Sequence, residues 1–395
     1  MSNMLNRLAL QALSPAELAA GFPKASLMAA TPQDKLYHAE GNVWRHTLMV
    51  MDEVKRFAFP DNAGALRLAA LLHDVAKPQT TVEEFCETEQ RMRVRQPIHA
   101  AKGRDESWQL LTDAGIDPRL KREVCDIVAW HQRPTHLPDQ RHIENRIMRY
   151  ASLGRDWRTL LDFCRADNLG RISPNVAETM GLLDLVEDEV KRVSDAVGHD
   201  LLDRAPRLSG ARIRYLHADY GNSIHHEPHD NPGRAVLRLM VGPPGSGKTT
   251  LREGFDAEVV SLDEERAAIK RFKHGSPDEG RVLQSCLKKL KEALAARRDV
   301  VWDATALTRQ TRAKIVTLGE AYGAKVEIWS IEDSADVCRD RNASRGEHAI
   351  PRADFEGMLR KREAVGREEA EEVHVVIDGK VVDLEPAEEA PAPGL

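Results

Sequence analysis

The stretch Gly242-Pro-Pro-Gly-Ser-Gly-Lys248-Thr249 fits the pattern G-x-x-x-x-G-K-[ST] at every fixed position. The apolar run Val236–Val241 precedes it and predicts a buried strand, and a helical segment follows. This is the context in which the motif holds nucleotide phosphates, because backbone N–H groups and the helix N-terminus face them. We expect Lys248 to reach the β- and γ-phosphates of ATP or another nucleoside triphosphate and Thr249 to ligate Mg²⁺. The predicted nucleotide-binding residues are Gly242, Gly245, Ser246, Gly247, Lys248, Thr249 and Thr250.

Alternating strand and helix patterns around this loop predict an α/β domain. Short apolar runs alternate with amphipathic segments from Val236 onwards, which is typical of a parallel sheet covered by helices. The predicted strands are Val236–Val241, Glu258–Leu262, Val300–Asp303, Lys325–Ile331 and Val373–Ile377. The predicted helices are Lys248–Gly254, Gly280–Arg298, Arg309–Ala321, Ser334–Arg345 and Ala353–Glu369.

The first half of the chain has a different pattern, with apolar residues at three- and four-residue spacing and little strand-like alternation. Clear examples of predicted helices are Val43–Phe57, Gly64–Ala76, Leu120–His131 and Trp157–Asp167. Turn residues then cluster before Val236. We predict a multidomain chain in four parts: an all-α domain over 1–205, a linker over 206–233, an α/β domain with a parallel sheet over 234–384, and a disordered tail over 385–395.

Composition narrows the class of protein and its compartment. The chain has 395 residues and a formal net charge of −6, so it has no overall basic charge for wrapping duplex nucleic acid. Its five cysteines are scattered without a C-x-x-C, which favours reduced thiols over a disulfide framework or a zinc site. No signal-peptide pattern opens the sequence, and no apolar run approaches the ~20 residues of a membrane helix. We expect a soluble, cytoplasmic protein without a membrane partner.

Histidine and aspartate residues recur through the helical half in an order that suggests metal binding. An adjacent pair, His73-Asp74, follows the apolar run Leu68–Leu72. Imidazole and carboxylate suit transition divalent metals such as Mn²⁺, Ni²⁺ or Co²⁺, which activate water for hydrolysis. Six candidates exceed the usual ligands of one ion, so the sequence predicts up to two metals. The candidate ligands are His46, His73, Asp74, His99, His131 and Asp167.

Charged residues near the predicted strand ends of the α/β half fit phosphoryl transfer. Asp263 follows the second strand and can accept the proton of an attacking hydroxyl, while Arg266, one turn later, would hold a phosphate of the acceptor. Asp303 ends the third strand and either orients Mg²⁺ and water or caps the next segment. Arg341 and Arg345 are four residues apart, so they either clamp the β- and γ-phosphates or form a solvated helix face.

The ordered series that begins at His46 resembles the HD-domain metal phosphohydrolases, a helical superfamily named for the His-Asp pair, over roughly residues 35–175. Lys77 is similar to a phosphate-binding lysine of that family, although its position also suits a cation at a helix C-terminus. The resemblance implies one metal on four residues and a second metal completed by two histidines: His46, His73, Asp74 and Asp167, then His99 and His131.

The phosphate loop, Ser261-x-Asp263-x-x-Arg266, Asp303-Ala-Thr305 and the two lid arginines together resemble polynucleotide 5′-kinase domains. The order of the two halves resembles the bacterial bifunctional HD–polynucleotide kinase family. That resemblance implies repair of broken RNA ends, single-stranded RNA or DNA partners, and cooperation with an RNA ligase. The first domain would remove 2′,3′-cyclic, 2′- or 3′-phosphate, and the second would transfer the ATP γ-phosphate to a 5′-OH. The implied catalytic residues are Lys77, Lys248, Asp263, Arg266, Arg341 and Arg345.

Two other interpretations stay open at the level of sequence. One is an HD nucleotidase or cyclic-nucleotide phosphodiesterase joined to a small-molecule kinase. The other is a nucleotide-sensing signalling module, which Asp263 and Arg266 disfavour because a sensor needs no acceptor base. Ala306 departs from the kinase resemblance, where Asn is common. His38 is similar to a phosphate-contacting position in related HD nucleotidyltransferase modules, and Arg171 would contact phosphate if its helix continues; a surface role is equally open for both.

Overall fold

The structure is a computed structural model that describes the residues 1–229, 233–269, 277–346 and 349–384. The chain forms two compact units. The first contains Met1–Arg207 and Asp219–His225, and the second contains Leu208–Ala218 and the chain from His226 to Leu384. The predicted tail, 385–395, lies outside the described residues. No helix in the described part of the chain has the length and apolar character needed to cross a membrane.

The stretch predicted as a linker, 206–233, contains a helix over Gly210–Ala218. Leu216 of this helix is buried, and Arg214 pairs with Glu320 of the second unit at 2.7 Å. The turn residues that suggested a linker lie after the helix, so the first part of this stretch is helical and the cluster of turn residues is confined to its second part.

The first unit is built around one apolar helix, Ala63–Leu72. Seven of its ten residues are buried, which is the pattern of a helix surrounded by others. Its neighbours include the helices Ser2–Leu10, Val43–Glu53, Pro118–Trp130 and Trp157–Leu169. The central helix ends at His73, whose backbone N–H bonds the carbonyl of Ala69, so the His-Asp pair is placed at the buried end of the central helix. The helices of this unit are α1 Ser2–Leu10, α2 Pro15–Gly21, α3 Ala25–Ala30, α4 Val43–Glu53, α5 Ala63–Leu72, α6 Lys77–Thr80, α7 His99–Asp113, α8 Pro118–Trp130, α9 Ile143–Ala151, α10 Trp157–Leu169 and α11 Val176–Val197.

A β-hairpin, which the sequence did not predict, interrupts the helical unit. Strand β1, Val82–Cys86, pairs antiparallel with β2, Arg91–Arg95. Phe85 and Met92 lie opposite each other in this register, and both are more than half exposed. Because neither face of the hairpin is fully buried, the strands lack the apolar alternation that would identify them in the sequence.

The second unit is an α/β domain whose six-stranded sheet has the order β4-β5-β3-β6-β7-β8. The sheet is parallel except for β8, which pairs antiparallel with β7 at the edge. The first strand of the unit, β3, lies between β5 and β6. Strands β4 and β5 are on one side of β3 and strands β6 to β8 are on the other, so the strand order switches direction at β3. Such a switch point is where α/β sheets bind ligands. The strands are β3 Val236–Val241, β4 Glu258–Ser261, β5 Val300–Asp303, β6 Lys325–Ile331, β7 Glu372–Ile377 and β8 Lys380–Val382.

The predicted helices of the second unit occur in order, with a further short helix over Leu262–Ala267, and several of them end earlier than expected. The predicted segment Ala353–Glu369 is helical only over Arg352–Arg360. The predicted segment Ser334–Arg345 is helical only over Ala335–Ala343, so Arg345 lies beyond the helix. Gly346 follows with φ of +60°, a left-handed conformation that ends a helix. The helices are α12 Gly210–Ala218, α13 Lys248–Arg252, α14 Leu262–Ala267, α15 Asp278–Ala295, α16 Arg309–Ala321, α17 Ala335–Ala343 and α18 Arg352–Arg360.

Candidate active sites

The helices of the first unit bring all six predicted metal ligands into one buried cluster. The central helix contributes the His-Asp pair, α4 and α10 contribute one residue each, and the starts or ends of α7 and α8 contribute the others. All six ligands and the predicted phosphate-binding lysine are buried, with at most 6% of each residue exposed. These residues are His46, His73, Asp74, Lys77, His99, His131 and Asp167.

Backbone carbonyl groups orient all four of these histidines in the same way. In each ring Nδ1 lies within hydrogen-bond distance of a carbonyl oxygen, so Nδ1 can donate its proton there and Nε2 is the atom left for a metal. Nε2 of His46 lies 3.0 Å from Asp167 Oδ1. The donor–acceptor distances are 3.0 Å for His46 to Gly170, 3.0 Å for His73 to Ala70, 2.6 Å for His99 to Gln96, and 2.8 Å for His131 to Val128. This is the arrangement of imidazole rings prepared to ligate a metal.

The ligand atoms divide into two groups of three that Asp74 connects. His46, His73 and Asp167 form one triad, and Asp74, His99 and His131 form the other, with ligand atoms within 4.8 Å of one another in each. Asp74 Oδ2 lies 3.2 Å from His73 Nε2, while Asp74 Oδ1 lies 3.4 Å from His99 Nε2. The carboxylate therefore faces both triads, so it can ligate in either.

The donor set fits divalent metal ions. Among the described residues, the buried Nε2 atoms of His73 and His99 have no hydrogen-bond partner. Unsatisfied buried polar atoms are costly unless a ligand satisfies them. Imidazole nitrogen and carboxylate oxygen together suit transition divalent ions.

Burial and neighbouring charges shift the pKa values of the cluster in different directions. Burial, together with His73 and His99, lowers the pKa of His131 to about 3. Burial alone would raise the pKa of Asp74, but His73 and Lys77 hold that pKa well below its usual range. Burial lowers the pKa of His46, yet its hydrogen bond with Asp167 outweighs burial and raises it overall. The cluster as a whole thus favours ionised carboxylates and attracts positive charge.

Three cationic or polar side chains adjoin the metal cluster. Lys77 Nζ lies 2.7 Å from Asp74 Oδ2 and donates to Gln33 Oε1 at 2.6 Å. Arg171 lies beyond the end of α10, which stops at Leu169, but its guanidinium turns back to Asp167 Oδ2 at 2.7 Å. Helix continuation is therefore not what brings Arg171 to the site.

His38 lies beside the first triad, with its ring centroid 4.9 Å from that of His46. Its Nδ1 atom is 2.7 Å from Oε1 of Glu40, a residue that the sequence analysis did not single out. Burial and the charge of Lys77 lower the pKa of His38 to about 4. The His38 ring is therefore neutral near pH 7, and the Glu40 carboxylate holds it beside the cluster.

The phosphate loop of the second unit adopts the conformation that its glycines permit. Gly245 and Gly247 have φ of +78° and +93°, which other residues rarely adopt. A Cβ atom on Gly245 would also lie 2.6 Å from the carbonyl oxygen of Cys338 in α17. Lys248 Nζ donates to the carbonyl oxygens of Gly242 and Pro243, each at 2.9 Å. The loop thus wraps around the lysine at the C-terminal end of the central strand.

The remaining loop residues are placed for ligand contact. Thr249 and Thr250 are exposed in the first turn of α13. Ser246 Oγ is buried and has no hydrogen-bond partner among the described residues, so a phosphate oxygen would satisfy it. Burial lowers the pKa of Lys248 to about 8, although the negative charges of Asp303 and Asp263 oppose the shift.

Asp303 lies at the end of β5, next to the central strand. Its Oδ2 atom accepts hydrogen bonds from Arg252 at 2.6 Å and from Ser261 Oγ at 3.5 Å. Arg252 also donates to Glu264 at 2.6 Å. Arg252 is a site residue that the sequence analysis missed, because its partner Asp303 is 51 residues away in the chain. These contacts fix one oxygen of Asp303, a strand-end carboxylate beside the phosphate loop.

The predicted acceptor pair, Asp263 and Arg266, lies on the short helix α14. The two side chains form an ion pair at 2.6 Å, as expected for residues one helical turn apart. Arg266 is also held by Glu279, with nitrogen–oxygen distances of 3.0 and 3.2 Å. The Asp263 side chain is 81% exposed, so a large acceptor can reach it.

The two lid arginines do not share a helix. Arg341 lies on α17 and pairs with the buried Asp333. Arg345 lies beyond the end of that helix, and its positive charge contributes to the lowered pKa of Lys248. The prediction of a common helical face is therefore wrong, although Arg341 lies on the helix that packs on Gly245 of the loop.

Comparison with known families identifies the type of domain that holds each cluster. Residues 42–152 match the HD domain family, and residues 237–365 match the AAA domain family. The chain therefore joins a helical HD domain to a P-loop kinase-like α/β domain, as the sequence predicted. An HD domain implies a divalent metal, and a P-loop kinase-like domain implies a nucleotide with Mg²⁺. The HD match ends before Asp167, so the position of this last ligand comes from the structure.

Individual solved structures resemble only part of this chain, at low sequence identity. Among solved structures, "a putative kinase from chloroflexus aurantiacus j-10-fl" is 16% identical, covering 38% of this chain and 88% of that chain with a TM-score of 0.32. A gluconokinase from Sinorhizobium meliloti 1021 is 20% identical, covering 38% of this chain and 86% of that chain with a TM-score of 0.27. These TM-scores are too low to support a functional conclusion. No curated protein matches the sequence.

Proposed function

We propose that the chain is a bifunctional enzyme that heals broken RNA ends. The HD domain removes a 2′,3′-cyclic, 2′- or 3′-phosphate, and the kinase-like domain transfers the γ-phosphate of ATP to a 5′-OH. The observation that carries this proposal is the presence, in one chain, of a cluster suited to two metals and a phosphate loop beside the exposed Asp263. Products of the two reactions are a 3′-OH and a 5′-phosphate, which are the ends that an RNA ligase joins.

The HD cluster supplies the groups needed for phosphate ester hydrolysis. Divalent ions held by the two triads would lower the pKa of water and neutralise phosphate charge. Lys77 and Arg171 are cations beside Asp74 and Asp167, so each can turn to a phosphate oxygen when those carboxylates bind metal. Hydrolysis adds water to phosphorus, breaks the bond to one ribose oxygen, and transfers a proton to that oxygen. A second hydrolysis releases inorganic phosphate.

The kinase-like site supplies the groups needed for transfer to a hydroxyl. The 5′-OH oxygen attacks the γ-phosphorus, Asp263 accepts its proton, and ADP leaves. Lys248 and the lid arginines would stabilise charge on the transferred phosphoryl group. Exposure of Asp263 supports an acceptor as large as a polynucleotide end, because such an acceptor need not enter an enclosed pocket. The reaction consumes ATP with Mg²⁺, and we propose that the enzyme acts in the cytoplasm.

The proposal is tested with one RNA oligonucleotide that carries a 5′-OH and a 2′,3′-cyclic phosphate. We expect the purified chain to transfer labelled phosphate from ATP to the 5′ end with Mg²⁺ and to remove the 3′-terminal phosphate with Mn²⁺, Ni²⁺ or Co²⁺. A 5′-OH DNA strand in parallel measures the preference for RNA. Asp263→Asn should keep nucleotide binding and slow transfer by roughly 10² or more, the usual effect of losing a general base.

The same assay separates the other interpretations. Phosphorylation of sugars or nucleosides but not of oligonucleotides would replace the polynucleotide kinase with a small-molecule kinase. Nucleotide binding without transfer to any hydroxyl, combined with an effect of ATP on hydrolysis, would identify a sensing module instead.

A further inference from the structure

The loop over residues 32–42 supplies the metal cluster with a buried carboxylate, Glu40. Its side chain is 0% exposed, and Oε1 lies 2.7 Å from His38 Nδ1 and 3.2 Å from His46 Nδ1. Oε2 accepts a hydrogen bond from the backbone N–H of Ile172 at 2.9 Å. One carboxylate therefore joins two histidines and a distant backbone group at the edge of the first triad.

This contact makes the two triads different. Among the described residues, His46 is the only predicted metal-ligating histidine whose Nδ1 lies beside a carboxylate. In the described part of the chain, the Nδ1 atoms of His73, His99 and His131 are held by backbone carbonyls alone. A carboxylate next to a ligating imidazole fixes the ring and increases the basicity of Nε2, and its loss typically weakens metal binding 10–100-fold.

We infer that Glu40 is a positioning residue that makes the two metal positions unequal. The triad of His46, His73 and Asp167 binds its divalent ion more tightly than the triad of Asp74, His99 and His131, so the two positions fill in that order. This inference rests on the proposed function only in requiring that the cluster binds divalent metal.

The effect of Glu40 on metal binding must be separated from its structural role in the loop. Glu40 also anchors the loop through Ile172, so its loss would loosen the loop whether or not metal binds. The substitution Glu40→Gln preserves the shape of the side chain. An amide offers one acceptor oxygen for four donors, namely the Nδ1–H groups of His38 and His46, the side-chain amide of Gln33 and the N–H of Ile172. The variant therefore removes the charge beside His46 with little change in volume.

The test is a titration of the metal-free full-length chain with Mn²⁺, in which electron paramagnetic resonance measures the free ion. The wild type should show one tighter and one weaker site. Glu40→Gln should weaken the tighter site roughly 10–100-fold and leave the weaker site unchanged. His131→Gln should retain the tighter site, and adding Glu40→Gln to it should give the same loss. Glu84→Gln is the matched control, because Glu84 is an exposed carboxylate paired with Arg95 at 2.5 Å; its titration should equal that of the wild type.

Several outcomes overturn the inference. Two equal sites in the wild type, equal weakening of both sites, or no weakening in a variant with an unchanged melting temperature would each do so. If Glu40→Gln does not fold, Glu40→Asp takes its place, since it keeps the charge but withdraws it from His46; an unchanged tighter site then overturns the inference. A chain that binds no Mn²⁺, Ni²⁺ or Co²⁺ at all instead refutes the metal-dependent function itself.

Discussion

Arg312 is a buried charge that holds the active-site segment of the second unit. Its side chain is 0% exposed and pairs with both oxygens of Glu369, at 2.6 and 3.0 Å. It also donates to the carbonyl oxygen of Leu307 at 3.1 Å. Nearby in the same segment, the carbonyl oxygen of Thr305 accepts the N–H of Gly242 at 3.1 Å. Arg312 therefore supports the phosphate loop through two steps of hydrogen bonding.

We predict that Arg312→Met destabilises the second unit by about 3–5 kcal/mol. Methionine fills much of the space, but the buried Glu369 carboxylate then keeps only the half-exposed Arg309, at 3.5 Å, as an ion-pair partner among the described residues. At roughly 2–4 °C per kcal/mol for a unit of this size, its calorimetric transition should fall by roughly 10 °C, while the transition of the first unit stays unchanged. Differential scanning calorimetry of the full chain measures both transitions.

Arg309→Met is the matched control for this prediction. Arg309 pairs with Glu368 and with the same Glu369, at 3.3 and 3.5 Å, but its side chain is 46% exposed. Exposed ion pairs contribute at most about 1 kcal/mol, so this variant should shift the transition by only a few degrees. If Arg312→Met shifts the transition no more than Arg309→Met does, the assigned role of the buried pair is wrong.

Three further predictions concern pH and backbone conformation. Burial lowers the pKa of Lys248 to about 8, and a bound triphosphate would restore the positive charge of this side chain. Nucleotide affinity, measured by calorimetric titration, should therefore fall by up to ~tenfold per pH unit above pH 8. Lys248→Met should abolish this dependence of the affinity on pH. Burial raises the pKa of Asp162 from 3.8 to about 6, so the folded state keeps a proton that the unfolded chain has lost, and stability should fall by at most about 3 kcal/mol as the pH rises through that window. Asp162→Asn should remove this part of the pH dependence in thermal melts; an unchanged difference between pH 4 and 6.5 would contradict it. Ala306 has φ of +44°, so Ala306→Gly should stabilise the second unit by up to about 1 kcal/mol, and a lowered melting temperature would contradict the strain.

The features that could be predicted from the sequence are those that depend on patterns of neighbouring residues. The strands Val236–Val241, Val300–Asp303 and Lys325–Ile331 appear in the structure with the predicted bounds, because buried parallel strands are short continuous apolar runs. The phosphate loop was equally clear, since its glycines and lysine are contiguous. The His-Asp series came from a resemblance, and the structure brings its six members together.

The features that could not be predicted depend on contacts between distant residues or on weak local signals. Glu40 lies 3.2 Å from His46 Nδ1 because the loop that carries it is anchored to the N–H of Ile172, which is 132 residues away, and the neighbouring sequence does not indicate that contact. Arg345 looked helical by spacing from Arg341, but Gly346 ends the segment with a left-handed conformation. The hairpin of β1 and β2 was missed because its apolar residues are exposed.

The central claim, that one chain carries two separate sites acting on opposite ends of a broken RNA, is tested most directly with two variants and one substrate. The substrate is an RNA oligonucleotide with a 5′-OH and a 2′,3′-cyclic phosphate, incubated with ATP, Mg²⁺ and Mn²⁺. Asp74→Asn should leave the cyclic phosphate in place while the 5′ end is phosphorylated at nearly the wild-type rate. Lys248→Ala should remove the cyclic phosphate and leave the 5′-OH. Loss of both activities in either folded variant, or a wild type that modifies neither end, would contradict the account.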